Sequence, residues 1–137
     1  MGCDIVAFAE KREGDKWVSC DIDDLFDFSS HVTFAFLAGV RNYNDIIPLD
    51  NPRGIPRDAS ERVRYEYDLV WKGFSHSPSW LSLRELLSVN YDARMAIYTG
   101  PYALDDITLR HLLHGKFFSD LERMEKAGAE RCASASA

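Results

Sequence analysis

Five arginines, Arg41, Arg53, Arg57, Arg62 and Arg64, fall within 24 consecutive positions of a chain whose formal net charge is −6. Arginine offers a planar fork of donors that fits phosphate and carboxylate oxygens, so this cluster points to an anionic ligand. Pro52-Arg53-Gly54-Ile55-Pro56-Arg57 sets two of these forks between rigid prolines. Gly54 there permits close backbone approach or a positive φ. Arg57 precedes Asp58, the predicted cap of a helix running to about Val70, where free amides favour an anion. Arg41 and its neighbour Asn42 supply donors at the head of the same loop. For Arg62 and Arg64 the plainer reading is a helix surface paired with Glu61, Glu66 or Asp68.

A second constellation is Ser75-His76-Ser77-Pro78-Ser79-Trp80, predicted as a connector. His76 and Ser77 can hydrogen-bond a base or ribose, and Trp80 can stack on a base or anchor the core. His76 can also act as an acid or base near neutral pH. His111 and His114 resemble half of a metal site, but a catalytic zinc takes about three protein ligands and no third stands near. Their plainer role is at a helix end before Gly115. The chain has no Cys-x-x-Cys, phosphate-loop glycine motif or nucleophile elbow, which leaves an enzyme without support from motifs. No cofactor is expected.

The elements that must position these groups read as follows. Residues 3–10 alternate as a strand, with Cys3, Ile5, Ala7 and Ala9 on one face and Asp4, Val6, Phe8 and Glu10 on the other. Glu13-Gly14-Asp15 turns the chain into a second strand over Lys16–Ile22, giving an N-terminal β-hairpin. A short buried helix spans His31–Ala38, and a long polar loop runs from Arg41 to Asp58. Ser82-Leu83-Arg84-Glu85 is a capping box. Tyr91–Thr99 fits either strand or helix. Asp105 or Asp106 is expected to start a helix ending at His114, and Phe117–Lys126 is a final amphipathic helix. The fold class is α+β: a small antiparallel sheet with an N-terminal β-hairpin, packed against several short helices. Residues 1–128 are expected to form one domain, with 129–137 a flexible low-complexity tail.

At 137 residues, 46% hydrophobic and 28% charged, the chain can bury one core. The acidic balance argues against duplex DNA as partner. Three widely spaced cysteines, Cys3, Cys20 and Cys132, suit a reducing compartment. No apolar run is long enough for a membrane span and no signal peptide opens the sequence, so a cytoplasmic location away from membranes is expected.

Several segments together resemble a family of small proteins found largely in bacteriophage genomes. They are Met-Gly-Cys-Asp-Ile at 1–5, Lys16-Trp17-Val18, Phe36-Leu37-Ala38-Gly39-Val40-Arg41-Asn42, Pro52-Arg53-Gly54-Ile55-Pro56, Asp58-Ala59-Ser60, and His76-Ser77-Pro78-Ser79-Trp80-Leu81-Ser82-Leu83-Arg84-Glu85-Leu86. The likeness covers roughly residues 1–90. It departs at Val6, where members often carry histidine, and this weakens any site on the first strand. The resemblance implies a phage accessory protein acting against host defence. The leading expectation is a protein that sequesters a small nucleotide-derived immune signal. Arg41, Arg53 and Arg57 would hold the phosphates, and His76, Ser77 and Trp80 the base or ribose, with Asn42 also counted among the ligand-binding residues. A homo-oligomer would allow such a site to sit at a subunit interface. Two alternatives stay open. One is an anti-CRISPR-like inhibitor that binds a host defence protein through the acidic run Asp21, Asp23, Asp24 and Asp27. The other is a phosphodiesterase using His76 with Asp4 or Asp58, with or without a metal.

Overall fold

The computed structural model of the chain describes residues 5–26, 31–38, 48, 50, 52–68, 76–99, 102–113 and 115–136. The predicted hairpin forms from β1 (Ile5–Glu13) and β2 (Lys16–Ser19), with Arg12 opposite Trp17. Gly14 takes φ 66° in its turn, a left-handed conformation open to glycine. β3 (His76–Ser82) and β6 (Arg131–Ser136) complete an antiparallel sheet of order β2-β1-β6-β3. A separate ribbon pairs β4 (Arg94–Thr99) with β5 (Tyr102–Thr108). The helices are α1 (His31–Ala38), α2 (Glu61–Glu66), α3 (Leu83–Ser88), α4 (Leu109–Leu112) and α5 (Gly115–Lys126). The architecture is the expected α+β one. Among the described residues no helix is long and apolar enough to cross a membrane.

Cross-strand partners share a face of a sheet, so the register assigns each side chain a side. Ala7, Ala9, Leu81 and Cys132 fall on one face and join the core with Phe36, Leu86, Phe117 and Met124. On α5, Phe117, Asp120, Leu121 and Met124 are buried, the spacing of a 3.6-residue helical stripe. Phe26 stacks on Phe117 with centroids 5.2 Å apart, and Phe36 meets the same ring edge-on at 5.9 Å. Tyr91 closes this aromatic group and donates its hydroxyl to the Leu86 carbonyl at 2.6 Å.

The opposite face carries Phe8, Glu10, Arg12, Trp17, Trp80 and Arg131. It is covered by the segment from Arg53 to Ser60 and by α2, whose Arg62 lies 5.0 Å from the Phe8 ring centroid. The sheet thus has a helical apolar side and a polar, arginine-rich side.

Several expectations need correction. Of the expected tail 129–137, residues Arg131–Ser136 form β6, which lies between β1 and β3 and pairs with both. Cys132, Ala133, Ser134 and Ala135 are all buried, and their small side chains let both faces of the strand be covered closely. The 76–80 part of the expected connector is a strand that pairs with β6. Asp105 and Asp106 lie within β5, and the following helix is capped instead by Thr108. Ser60, not Asp58, caps α2, accepting from the Val63 amide at 3.3 Å. The Ser82–Glu85 capping box is present as read, and the ambiguous segment resolves as strand from Arg94 onward.

Candidate functional site

On the polar face the sheet lines up a row of alternating cations and aromatic rings. Arg12 lies 5.7 Å from the Trp17 ring centroid, and Arg131 covers Trp17 at 3.7 Å. Arg131 stands 5.9 Å from the Trp80 centroid, and Arg53 covers Trp80 at 4.9 Å. The row runs Arg12, Trp17, Arg131, Trp80, Arg53, and the pairings Arg12–Trp17 and Ser82–Arg131 set its spacing. Guanidinium over an indole face is the strongest cation–π geometry that side chains offer.

Arg131 is the hinge of the row. Its Nε–H donates to Glu10 at 2.7 Å, and the two side chains are 5% and 0% exposed. Glu10 also accepts the Ser60 amide at 2.6 Å, so the start of α2 is tied to the sheet. The remaining Arg131 contacts go to Asp58: its carboxylate at 2.8 Å and its carbonyl at 3.2 Å. The Trp17 indole N–H donates to the other Asp58 oxygen at 2.9 Å. The Arg131 hydrogen bond is the main reason that the Asp58 carboxyl sits below its ordinary range.

The Pro52–Arg57 loop is anchored by backbone as well as by charge. Gly54, at φ 82°, donates its amide to the Pro78 carbonyl at 2.9 Å, and the Arg53 amide reaches the Ser79 hydroxyl at 3.1 Å. The Arg53 fork grips both oxygens of Glu85, one of them at 2.8 Å, and its Nε–H reaches Asp50 at 2.7 Å. Glu85 is held down at about 2, chiefly by the bond from Arg53, while Arg53 is pushed up by the same bond. Glu85 thereby serves two partners, because it also closes the capping box of α3.

Between this loop and strands β3 and β6 lies a groove of about 400 Å³ lined by Arg53, Ile55, Pro56, Arg57, Asp58, Trp80 and Arg131. Of the expected site residues, Arg53, Arg57 and Trp80 meet here. Arg53 and Arg131 spend most of their donors on carboxylates and carbonyls. Arg57 is exposed, and its side chain has no carboxylate partner among the described residues. Trp80 already has two guanidinium groups near its ring, 4.9 and 5.9 Å from the centroid, and it lines the groove.

Arg41 and Asn42 lie outside the described residues. His76 and Ser77 are placed in β3, His76 opposite Ser136 with a register shift before Ser79, but their side chains lie outside the described residues. Trp17, Asp58 and Arg131 were not among the expected ligand-binding residues. The one signal for Arg131 was an isolated arginine opening an otherwise small-residue alternating run. His111 completes a capping box with Thr108, its ring Nδ1 accepting the Thr108 amide at 3.3 Å, while His114 lies outside the described residues. Among the described residues no group of three or more His, Cys, Asp or Glu side chains is placed to hold a metal.

The acidic turn is held by its backbone. Lys116 donates to the Asp24 carbonyl and Arg123 to the Asp23 carbonyl, the latter at 2.6 Å. Both cations also bond the buried Asp120 carboxylate, which accepts the Phe26 amide at 2.8 Å. Asp24 and Phe26 take φ of 54° and 56°, a strained region for side chains of this kind, and the Asp120 bonds offset that strain.

No family model, curated protein or solved structure matches the chain. The chemistry of the groove, and not kinship, therefore carries the functional argument.

Proposed function

We propose that the protein binds a small anionic, nucleotide-derived ligand in this groove and sequesters it without turning it over. The observation that carries the reading is the convergence of Arg53, Arg57 and Arg131 on one concave surface of about 400 Å³. Arg57 takes the phosphate, since its side-chain donors have no carboxylate partner among the described residues. Arg53 and Arg131 are each held by two carboxylates, so they fix the shape of the wall and have few donors to spare, without adding net positive charge to it. The outer lone pairs of Asp58 accept from a ribose hydroxyl or a base amine. A base rests beside the Trp80 ring, which shares its surroundings with the Arg53 and Arg131 guanidinium groups.

Resemblance to phage proteins over residues 1–90 supplies the biological proposal: the ligand is a host immune signal, captured in the cytoplasm of an infected bacterium, with a homo-oligomer as the assembly that would deepen the site. The test is purification from defence-competent cells followed by mass spectrometry of the released small molecule, with thermal shift against cyclic and ADP-ribose-type nucleotides. An intact nucleotide and a large shift are expected. Absence of any shift across the panel would remove the reading, and recovery of a chemically altered nucleotide would favour the phosphodiesterase alternative.

A separate observation favours a second reading, an inhibitor that docks on a basic surface of a defence effector. Lys116 and Arg123 bind the carbonyls of Asp24 and Asp23, which leaves the exposed Asp21, Asp23 and Asp24 carboxylates without a cation among the described residues. This reading expects co-purification with a host protein that D23K/D24K abolishes.

A further inference from the structure

Arg64 makes an unusual choice of partner. Glu61 lies three residues before it and Asp68 four after, both at spacings that pair well on a helix. Neither carboxylate pairs with it. Two positions away, Arg62 does take the ordinary option and meets Glu66 at 3.3 Å. Arg64 instead turns back and donates to the carbonyl of Arg57 at 3.0 Å. Its guanidinium is thereby held against the backbone of Arg57, a residue that lines the groove. Two exposed arginines, neither with a carboxylate partner among the described residues, are thus joined through the Arg57 carbonyl in a protein with acid to spare. The nearby Asp58 offers no relief, since it is engaged by Arg131 and Trp17.

We infer that Arg57 and Arg64 together form a subsite for a terminal phosphate monoester, so that the ligand carries a doubly charged end group and not only an internal diester. The inference rests on the proposed nucleotide reading and narrows it. A terminal phosphate bears about −1.5 to −2 charge near neutral pH and three acceptor oxygens, enough to satisfy two forks. A cyclic diester offers one charge and two free oxygens, enough for one. Arg64 uses one hydrogen bond to Arg57 and keeps the rest of its donors for the anion. Arg57→Ala therefore removes one fork and leaves Arg64 its anchor, because that anchor is a backbone carbonyl.

The test is calorimetric titration of the wild-type chain with adenosine 5′-monophosphate, 3′,5′-cyclic adenosine monophosphate and inorganic pyrophosphate, repeated with Arg57→Ala, Arg64→Ala, Arg64→Lys and Arg62→Ala. The monoester is expected to bind more tightly than the cyclic diester, and each of Arg57→Ala and Arg64→Ala to weaken it about ten- to hundredfold, as loss of a charged hydrogen-bonding partner does. Arg64→Lys keeps the charge but loses the fork and recovers only part. Arg62→Ala, whose side chain is paired elsewhere, leaves binding unchanged. If nucleotides bind but Arg64→Ala binds like wild type, or the cyclic diester is preferred, the subsite is overturned while the sequestration reading stands. Binding of pyrophosphate alone, dependent on Arg64, keeps the phosphate subsite and removes the nucleotide reading. No binding by any probe overturns the subsite, and a blank nucleotide panel removes the broader reading with it.

Discussion

Arg131 on the last strand donates its Nε–H to Glu10 on the first at 2.7 Å, and both side chains are almost entirely withdrawn from solvent. The pair joins the two central strands at the last register position of the β1–β6 ladder. Glu10 also holds the Ser60 amide, and Arg131 also holds Asp58, so a single ion pair ties the sheet to the segment that walls the groove. Charges withdrawn from water in this way are costly unless every partner is present.

Arg131→Met is accordingly expected to destabilise the fold by about 3–5 kcal/mol, because it strands a buried carboxylate. The double variant Glu10→Leu/Arg131→Met removes both charges and should recover much of that loss. Urea unfolding midpoints measure both. A single variant as stable as wild type would mean that Glu10 finds another partner.

The Arg53–Glu85 pair gives stability a defined pH dependence. The folded-state value of Glu85, about 2, lies below its ordinary 4.5. Its contribution is therefore complete above about 4.5 and fades as pH falls toward 2. The stability gap between wild type and Glu85→Gln, measured by denaturant unfolding at a series of pH values, should close across that window. A gap that persists undiminished at the acid end would show that the carboxylate charge is not what Arg53 uses.

Arg57 and Arg53 should separate binding from stability. Arg57 is exposed with no carboxylate partner among the described residues, so Arg57→Ala should change stability by no more than about 0.5 kcal/mol. It should nonetheless reduce the ligand-induced thermal shift, in line with a loss of affinity of about ten- to hundredfold. Arg53→Ala should lower both, since Arg53 also anchors the loop to Glu85, Asp50 and the Trp80 carbonyl.

Deleting residues 131–137 removes a strand bonded on both sides, together with Arg131. The shortened chain should lose cooperative unfolding and native amide dispersion in NMR spectra. Retention of a cooperative transition near that of the full chain would contradict the central placement of β6.

Tyr91→Phe keeps the ring contacts with Phe36, Phe117 and Phe118 but removes the hydroxyl that meets the Leu86 carbonyl. A loss of about 1 kcal/mol is expected in urea unfolding, the ordinary net value of one hydrogen bond.

Features that depend on neighbours along the chain could be read from residue order. Alternation in residues 5–10 and the Glu13-Gly14-Asp15 turn settled the hairpin and its faces, as period two requires. The spacing of Ser82 and Glu85 settled a helix start, and the 3.6-residue stripe through Phe117, Leu121 and Met124 settled the final helix. Arg53 and Trp80 were legible as site candidates because each stands in a segment rich in turn-forming or hydrogen-bonding residues.

Long-range contacts settled the rest. The run Arg131-Cys-Ala-Ser-Ala-Ser has weak intrinsic strand preference, and it becomes the second central strand because β1 and β3 both offer it unpaired backbone groups. The polarity of β3 misleads in the same way: His76–Ser82 carries hydroxyls and a proline, yet pairing with β6 makes it a strand. Asp58 is engaged by Arg131 and Trp17, both remote in sequence, and Ser60 takes the role of helix cap. The groove exists only where β3, the last strand and the arginine loop meet. No local pattern encodes a charge pair between residues 10 and 131, because that contact is made by the fold and not by the spacing.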